Sequence, residues 1–264
     1  VRTRRRLGRQ IEAGPQGVAA GSYAALGPAG LLQRAGGCTF SIRIQPTLAL
    51  ARRQVVMSCL DEQGHGIALE LTPALTLRAS VGTEAGLATA ETAAPLPLMA
   101  WTIATLVVDA ASRTLALSVS PVSGQVDGTT TTTALAAAPA VHAPARRLSL
   151  ASASDTAPVD TFNGRLEHPV LWSQGAASTP VGACLGDWDF AQEMHTQRIV
   201  DTSGRGHHGE LFNTPTRAVC GSVWTGQEHN FRHAPEQYGA IHFHDDDLDD
   251  CRWPATHAVD LPEG

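Results

Sequence analysis

Between residues 38 and 172, apolar residues recur at every second position in short segments that end at turn signals. In CTFSIRI (38–44), the apolar Phe40, Ile42 and Ile44 alternate with polar residues. Alternation with a period of two is typical of a strand that buries one face. Because no segment keeps a 3.6-residue apolar repeat beyond one or two turns, the chain is predicted to be all-β and antiparallel.

The same alternation predicts further strands at 54–60, 66–71, 75–81, 101–109, 114–120, 147–152 and 162–172. Strands 101–109 and 114–120 flank a short turn and form the clearest hairpin. The Gly-, Ala- and Pro-rich segment 82–99 is predicted to be a connector. Residues 121–146, which contain five consecutive threonines, are predicted to be a low-complexity loop.

Composition excludes several classes of function. The formal net charge is only −6, so no nucleic-acid or membrane partner is indicated. All 19 basic residues are arginine. No apolar run approaches the roughly 20 residues of a membrane span. Hydrophobic residues make up 43% of the chain, enough to bury a core without disulfides or metals.

The cysteines are odd in number, widely spaced and free of any CxxC pair: Cys38, Cys59, Cys184, Cys220 and Cys251. This pattern indicates reduced thiols in a cytoplasmic protein and disfavours a structural zinc site. A nucleophilic role for Cys220 beside His229 or His233 is disfavoured, because spacing in sequence does not bring side chains together.

The two ends of the chain are predicted to lie outside the main domain. Residues 1–20 hold five Arg without interleaved aromatic residues, which favours a flexible linking segment over a nucleic-acid-binding arm. The chain begins with Val1 and ends at Gly264, and we expect it to be a piece of a longer polypeptide.

The densest group of potential ligands lies in YGAIHFHDDDLDDC (238–251). On a strand, His242, His244 and Asp246 would share one face, with successive residues of the set about 7 Å apart in strand rise. Two imidazoles and a carboxylate suit zinc or iron. The alternative is that both histidines bond to backbone carbonyls or to neighbouring aspartates.

The same stretch contains an acidic run: Asp245, Asp246, Asp247, Asp249 and Asp250. Carboxylates this close repel one another, so a positive group should lie nearby. Calcium is one possibility, because it prefers hard oxygen ligands. Pairing with Arg217, Arg232 or Arg252 is the alternative that we favour.

Two further features have a structural interpretation. The turn-rich DTSGRGHHG (201–209) could be a ligand or cation loop, but a Gly-dependent turn capped by Asp201 is favoured. Trp172 and Trp188 are predicted to lie in the core, whereas Trp224, among Gly and Thr, is predicted to be exposed. The GxSxG, Walker and HExxH motifs are absent.

Three patterns, taken in order, resemble laminin-G-like, concanavalin-A-type jelly rolls: GSYAALGPAGLL before CTFSIRIQP, the hairpin 101–120, and FNGRLEHPVLW. The resemblance covers about residues 20–175. It implies an antiparallel jelly-roll β-sandwich over 21–235. Residues 236–264 would then form a short acidic extension, either the start of a following domain or a tail.

A second resemblance covers about residues 183–253. LGDWDF, IVDTSGRGHHGELFNTPTRAVCG and YGAIHFHDDDLDDCRW are similar to the large subunit family of N,N-dimethylformamidase. The part from PTRAVCG to HFHDDDLDD is the specific portion. One departure is that Asp249 follows Leu248, where the family carries an aromatic residue.

This resemblance implies hydrolysis of N-substituted formamides to formate and an amine by a complex of large and small subunits. It also implies a non-haem iron held by Tyr and Glu in a domain after the jelly roll. Neither Tyr23 nor Tyr238 matches that segment, so no catalytic residue is carried over, and this chain alone is expected to be inactive and without a cofactor.

The expected partners are the rest of the large subunit and a small subunit, or other copies of the chain. The alternative is a free-standing laminin-G-like module that binds a glycan or a protein in a calcium-dependent manner.

Overall fold

The computed structural model describes residues 21–32, 37–122, 128–173 and 182–244. Their regular elements are β-strands, apart from one short 3-10 helix, so the all-β prediction is confirmed. Within these ranges no helix is long and apolar enough to cross a membrane.

The strands of the first half are β1 (Tyr23–Leu26), β2 (Cys38–Pro46), β3 (Gln54–Ser58), β4 (Ile67–Leu71), β5 (Leu77–Thr83), β6 (Gly86–Glu91), β7 (Thr102–Asp109) and β8 (Thr114–Pro121). Those of the second half are β9 (Thr129–Ala134), β10 (Leu148–Leu150), β11 (Gly164–Trp172), β12 (Cys184–Asp189), β13 (Arg198–Asp201), β14 (Gly209–Phe212), β15 (Thr216–Val219) and β16 (Ala240–Phe243). The 3-10 helix is Pro235–Tyr238.

The strands form an antiparallel jelly-roll sandwich. The first sheet has the order β6-β5-β4-β3-β10-β1-β14-β13, and the second has the order β12-β11-β2-β7-β8-β9. Pairing of β12 with β13 joins the two sheets. Strand β16 pairs with both β11 and β15. Neighbours in the sheets are often distant in sequence, since β1 lies between β10 and β14.

The core lies between the sheets and is built from the alternating residues that predicted the strands. Phe40, Ile42 and Ile44 of β2 are fully buried, as are Trp188 and Phe162. Each such side chain stabilises the fold by roughly 1.5–3 kcal/mol relative to exposure.

The cysteines contribute to this core as thiols. Cys38, Cys59, Cys184 and Cys220 are free, and the first two are buried. Burial disfavours the thiolate and raises the pKa of Cys59 to about 11. A thiol held neutral in this way packs as a small apolar side chain rather than acting as a nucleophile.

Two strands form where the sequence predicted loops. Strand β6 lies in the connector 82–99, and β9 consists mainly of the threonine run. Both are edge strands, largely exposed, so neither needs an alternating apolar face. Thr is β-branched and favours extended backbone, which explains how a low-complexity run becomes a strand.

The sandwich continues past residue 235, where the acidic extension was expected to begin. Strand β16 pairs with β11 in the second sheet, and its Ile241 and Phe243 are fully buried in the core. The Ser22 N–H donates to the His244 carbonyl at 2.8 Å, which ties this end to β1. Residues 1–20 and 245–264 lie outside the described residues.

Candidate functional site

The two histidines of the predicted metal site lie side by side. His242 is in β16, opposite Arg165 of β11 and Thr216 of β15. The His244 N–H donates to the Ser22 hydroxyl at 3.0 Å. The centroids of the two imidazole rings are 6.3 Å apart and the rings are nearly perpendicular. The two imidazole rings are therefore neighbours in the structure, and the shared face with Asp246 stays a prediction.

The proposed third ligand, Asp246, lies outside the described residues, as do Asp245, Asp247, Asp249 and Asp250. In the ranges that are described, no group of three or more His, Cys, Asp or Glu side chains is arranged to hold a metal ion. The zinc or iron site and the calcium site thus stay predictions.

Two of the arginines considered as partners of the acidic run have other contacts. The Arg217 guanidinium donates to five backbone carbonyls of one loop: those of Phe190, Gln192, Glu193, Thr196 and Arg198. Burial lowers the pKa of Arg217. The Arg232 guanidinium lies over the Phe231 ring, 5.9 Å from its centroid. Arg217 therefore organises the loop after β12.

The turn after β13 is held by Asp201, as the favoured interpretation predicted. Its carboxylate accepts from the backbone N–H groups of Asp187 at 3.0 Å and His207 at 2.8 Å. It also accepts from the N–H and hydroxyl of Ser203, at 3.0 and 2.9 Å. Burial opposes ionisation, but these donors outweigh it and lower the pKa of Asp201.

The tryptophans follow the predictions with one exception. Trp188 is fully buried and its Nε1 donates to the His207 carbonyl at 2.7 Å, so it supports the same turn. Trp172 is only partly buried, although a core position was predicted. Trp224 is exposed, as predicted.

A β-bulge in β11 creates a polar site that the sequence analysis missed. The register of β11 against β2 shifts between Glu167 and Val170. Within this bulge His168 has φ +49°, a strained conformation for a residue other than glycine. Its Nε2 lies 2.9 Å from the Asp187 carboxylate. Pro169 could have predicted this bulge, because proline inside a strand pattern marks a bulge.

Next to His168, the carboxylate of Glu167 is almost fully buried. It pairs with the Arg43 guanidinium at 3.3 Å and accepts from the Ser222 N–H at 2.7 Å. A cleft of about 340 Å³ opens here, lined by Arg43, Glu167, His168, Asp189, Val223 and Glu236 among others. The outer face of the second sheet therefore carries a cleft in which four charged side chains lie among apolar and small ones, and we call it the charged cleft.

The segment 221–239 beside this cleft exposes three large apolar side chains, Val223, Trp224 and Phe231, which we call the exposed aromatic surface. The segment is ordered by the Glu228 carbonyl, which accepts from Trp224 Nε1 at 2.9 Å and from the Tyr238 hydroxyl at 2.8 Å.

The Cys220 hypothesis gains no support from this segment. His233 lies 3.7 Å from the Glu228 carboxylate, and His229 contacts the Trp224 ring edge-on. In the described part of the chain, neither histidine is hydrogen-bonded to Cys220.

The described residues do not fit the iron site that the family resemblance implies. Tyr23 and Tyr238 are the chain's two tyrosines. The Tyr23 ring is buried and stacks on Phe212 at 4.8 Å. The Tyr238 hydroxyl donates to a backbone carbonyl. Neither tyrosine joins glutamate side chains in a cluster that could bind a metal within the described ranges.

Comparison with known proteins gives two levels of similarity. No protein-family model matches the chain. Its fold is shared with a solved structure from Bacteroides ovatus ATCC 8483, described as a candidate carbohydrate-binding protein. The TM-score is 0.53 over 88% of this chain and 61% of that one, at 13% identity.

At the sequence level the chain is 38% identical over 123 residues to the N,N-dimethylformamidase beta subunit of Paracoccus aminophilus. It is 39% identical over 120 residues to the beta subunit from Alcaligenes sp. These matches span 39–40% of this chain and 16% of either relative's length. The resemblance is thus confirmed as similarity to N,N-dimethylformamidase beta subunits over about two fifths of the chain.

Proposed function

We propose that this chain is a non-catalytic jelly-roll portion of an N,N-dimethylformamidase-like amidohydrolase subunit. The observation that carries the proposal is the identity of 38–39% to two dimethylformamidase beta subunits. The complete enzyme would hydrolyse N-substituted formamides to formate and an amine, with iron held by residues outside this chain. The free thiols support a cytoplasmic location.

Within that enzyme the chain would make contacts with the rest of its subunit, with a second subunit, or with other copies of itself. The exposed aromatic surface supports this role, because aromatic residues are enriched where protein surfaces meet. It adjoins the charged cleft, which shares Val223 with it. It also belongs to the segment that leads into β16, the last described strand.

The proposal that this chain is non-catalytic is tested with the purified chain. Incubation with dimethylformamide should release no dimethylamine or formate above the buffer rate, and metal analysis should find no iron. A complete dimethylformamidase assayed in parallel is the positive control. Hydrolytic activity that co-elutes with the purified chain on gel filtration would overturn the proposal.

A second candidate is a calcium-dependent glycan- or protein-binding module. The acidic run Asp245–Asp250 favours it, because clustered carboxylates suit calcium. Calorimetric titration with calcium should then give heat and a higher melting temperature. Both effects should disappear in the Asp245→Asn/Asp247→Asn double variant. The absence of heat and of any thermal shift in the unmodified chain would exclude this function.

A further inference from the structure

The outer face of the first sheet carries a groove that neither proposed role uses. The groove crosses β3, β4, β5 and β6 and has a volume of about 340 Å³. Such a volume lies at the lower end of the range for small-molecule sites, roughly 300–1,000 Å³. The face is the one opposite the core, because Leu69, Ala79 and Ala90 of these strands point inward.

The floor of the groove follows from the strand register. Ser58 of β3 pairs with Ala68 of β4, Ala68 with Ser80 of β5, and Ser80 with Thr89 of β6. Residues in one cross-strand row lie about 4.8 Å apart, on the same face of the sheet. A row of small side chains between larger neighbours forms a trough, and three of the four present hydroxyl groups to it.

One wall is a line of alternating charges. Arg53 pairs with Asp160 at 2.8 Å and with Glu70 at 3.3 Å. Arg78 pairs with Glu70 at 3.3 Å and with Glu91 at 2.9 Å. The Glu70 side chain is more than nine-tenths buried, and each of its oxygens accepts from one guanidinium. The buried Glu70 carboxylate therefore links the two guanidinium groups of this wall.

The opposite wall and one end are apolar. Leu60 and Leu87 line the far side, and Leu87 is more than half exposed. Ala153 closes the end, on a loop held by the Ser152 hydroxyl, which donates to the carbonyls of Ala157 and Val159. The other end of the groove runs out at β6, which is the edge of the sheet.

From this arrangement we infer that the groove binds a neutral, linear oligosaccharide. Both guanidiniums of the wall are already paired, with three carboxylates between them, so the wall has no excess positive charge to bind an anionic ligand. The Nη2 groups of Arg53 and Arg78 have no hydrogen-bond partner among the described residues and can donate to sugar hydroxyls. The leucine wall matches the apolar C–H face of a pyranose.

An extended peptide fits this groove less well. Peptides that add to sheets pair with an edge strand through backbone hydrogen bonds. This groove runs across the strands, whose backbone groups are already paired with each other. The inference goes beyond the contact role proposed above, and it needs no calcium because paired arginines and hydroxyls carry the binding.

Saturation-transfer difference NMR tests the inference, with cellotetraose, xylotetraose and mannotetraose as probes and EDTA present throughout. At least one probe should give a signal from the intact chain. Ser80→Leu, which fills the floor, should weaken binding at least tenfold. Leu87→Ser should weaken it less, since it removes part of one wall.

Matched controls separate binding from folding. Ser118→Leu changes a serine on the outer face of the second sheet, and Leu98→Ser changes an exposed leucine of the 92–101 loop. Both should bind like the intact chain. The inference is overturned if no probe binds, or if binding survives Ser80→Leu. It is also overturned if the groove binds a uronic-acid oligosaccharide or unfolded casein but none of the neutral probes. Binding that appears only when calcium replaces EDTA would also overturn the inference and would instead indicate the calcium-dependent module.

Discussion

Asp201 connects three parts of the chain through a single carboxylate. It accepts from three backbone N–H groups, one in β12 and two in the turn after β13, and from the Ser203 hydroxyl. A carboxylate held by several donors is stabilised in its charged form. The acid therefore acts as a structural anchor, and its charge is the property on which the turn depends.

Asp201→Asn should lower the free energy of unfolding by about 1–3 kcal/mol at pH 7, because one strong acceptor oxygen is lost. The folded-state pKa of Asp201 is depressed, so its contribution is present above the unfolded pKa of about 3.9 and is lost as the pH falls through the folded value. Urea unfolding should show a difference between the two proteins that shrinks below pH 4. A difference that stays constant down to pH 2 would contradict this.

Arg217 is a second residue whose geometry cannot be replaced by charge alone. Arg217→Lys keeps the charge, but a compact ammonium cannot reach five carbonyls spread over a planar fork. We expect a loss of about 1–3 kcal/mol in urea unfolding. Arg198→Lys, which alters an exposed pair with Glu193, is the control and should change stability by less than about 0.5 kcal/mol.

Strand β11 is the element around which the second sheet is arranged. One edge pairs with β2 on both sides of the bulge. The other edge is shared, since β16 pairs with its first half and β12 with its second. The bulge lies where the two halves meet and turns His168 outward. A single irregularity thus allows one strand to serve two neighbours.

The place of β16 in the sandwich predicts a large effect for Phe243→Ala. Removing a fully buried phenylalanine should reduce the free energy of unfolding by about 3–5 kcal/mol. Val223→Ala, at an exposed position twenty residues earlier, should be nearly neutral. A change below about 1 kcal/mol for Phe243→Ala in guanidinium unfolding would mean that β16 does not pack in the core.

The sequence is sufficient to predict the strands in which apolar and polar residues alternate. Strands such as β2 and β7 were predicted because one face is buried and the other polar. The edge strands β6 and β9 were missed because an exposed edge imposes no such pattern. The charged cleft was missed for another reason: Arg43, Glu167 and Asp189 are separated in sequence, and only the pairing of β2, β11 and β12 brings them together.

At the scale of the whole molecule, the order of the strands links the two ends of the described chain. Strand β1 pairs with β10 and β14, and the segment before it is bonded to the residue after β16. Strand β1 cannot detach without exposing core residues, because its Ala24 and Leu26 are fully buried between the two sheets. Folding is expected to be slow, since β1, β2 and β11 each pair with strands that are distant in sequence.

This interleaving predicts one cooperative unfolding transition. Near-ultraviolet circular dichroism, which reports on buried Trp188, should melt together with the far-ultraviolet signal of the sheets. The calorimetric and van't Hoff enthalpies should agree. Two separated transitions would show that the described ranges contain independently folding units.

The two outer faces offer different surfaces. The first sheet carries a groove of paired charges and hydroxyls, and the second carries a charged cleft beside three exposed apolar side chains. Because the faces point in opposite directions, the molecule could contact a protein on one side while the other side stays open to a small ligand.

The threonine strand β9 has a consequence of its own. Five identical side chains give neighbouring alignments against β8 nearly the same contacts, so the strand itself does not encode where it should sit. The alignment is instead set at one end, where the N–H of buried Leu135 donates to the Arg113 carbonyl at 2.8 Å. Burial of Leu135 therefore fixes the register of β9 against β8. Without this residue, β9 would be free to shift its register along β8 and to expose its unpaired edge to pairing with another chain.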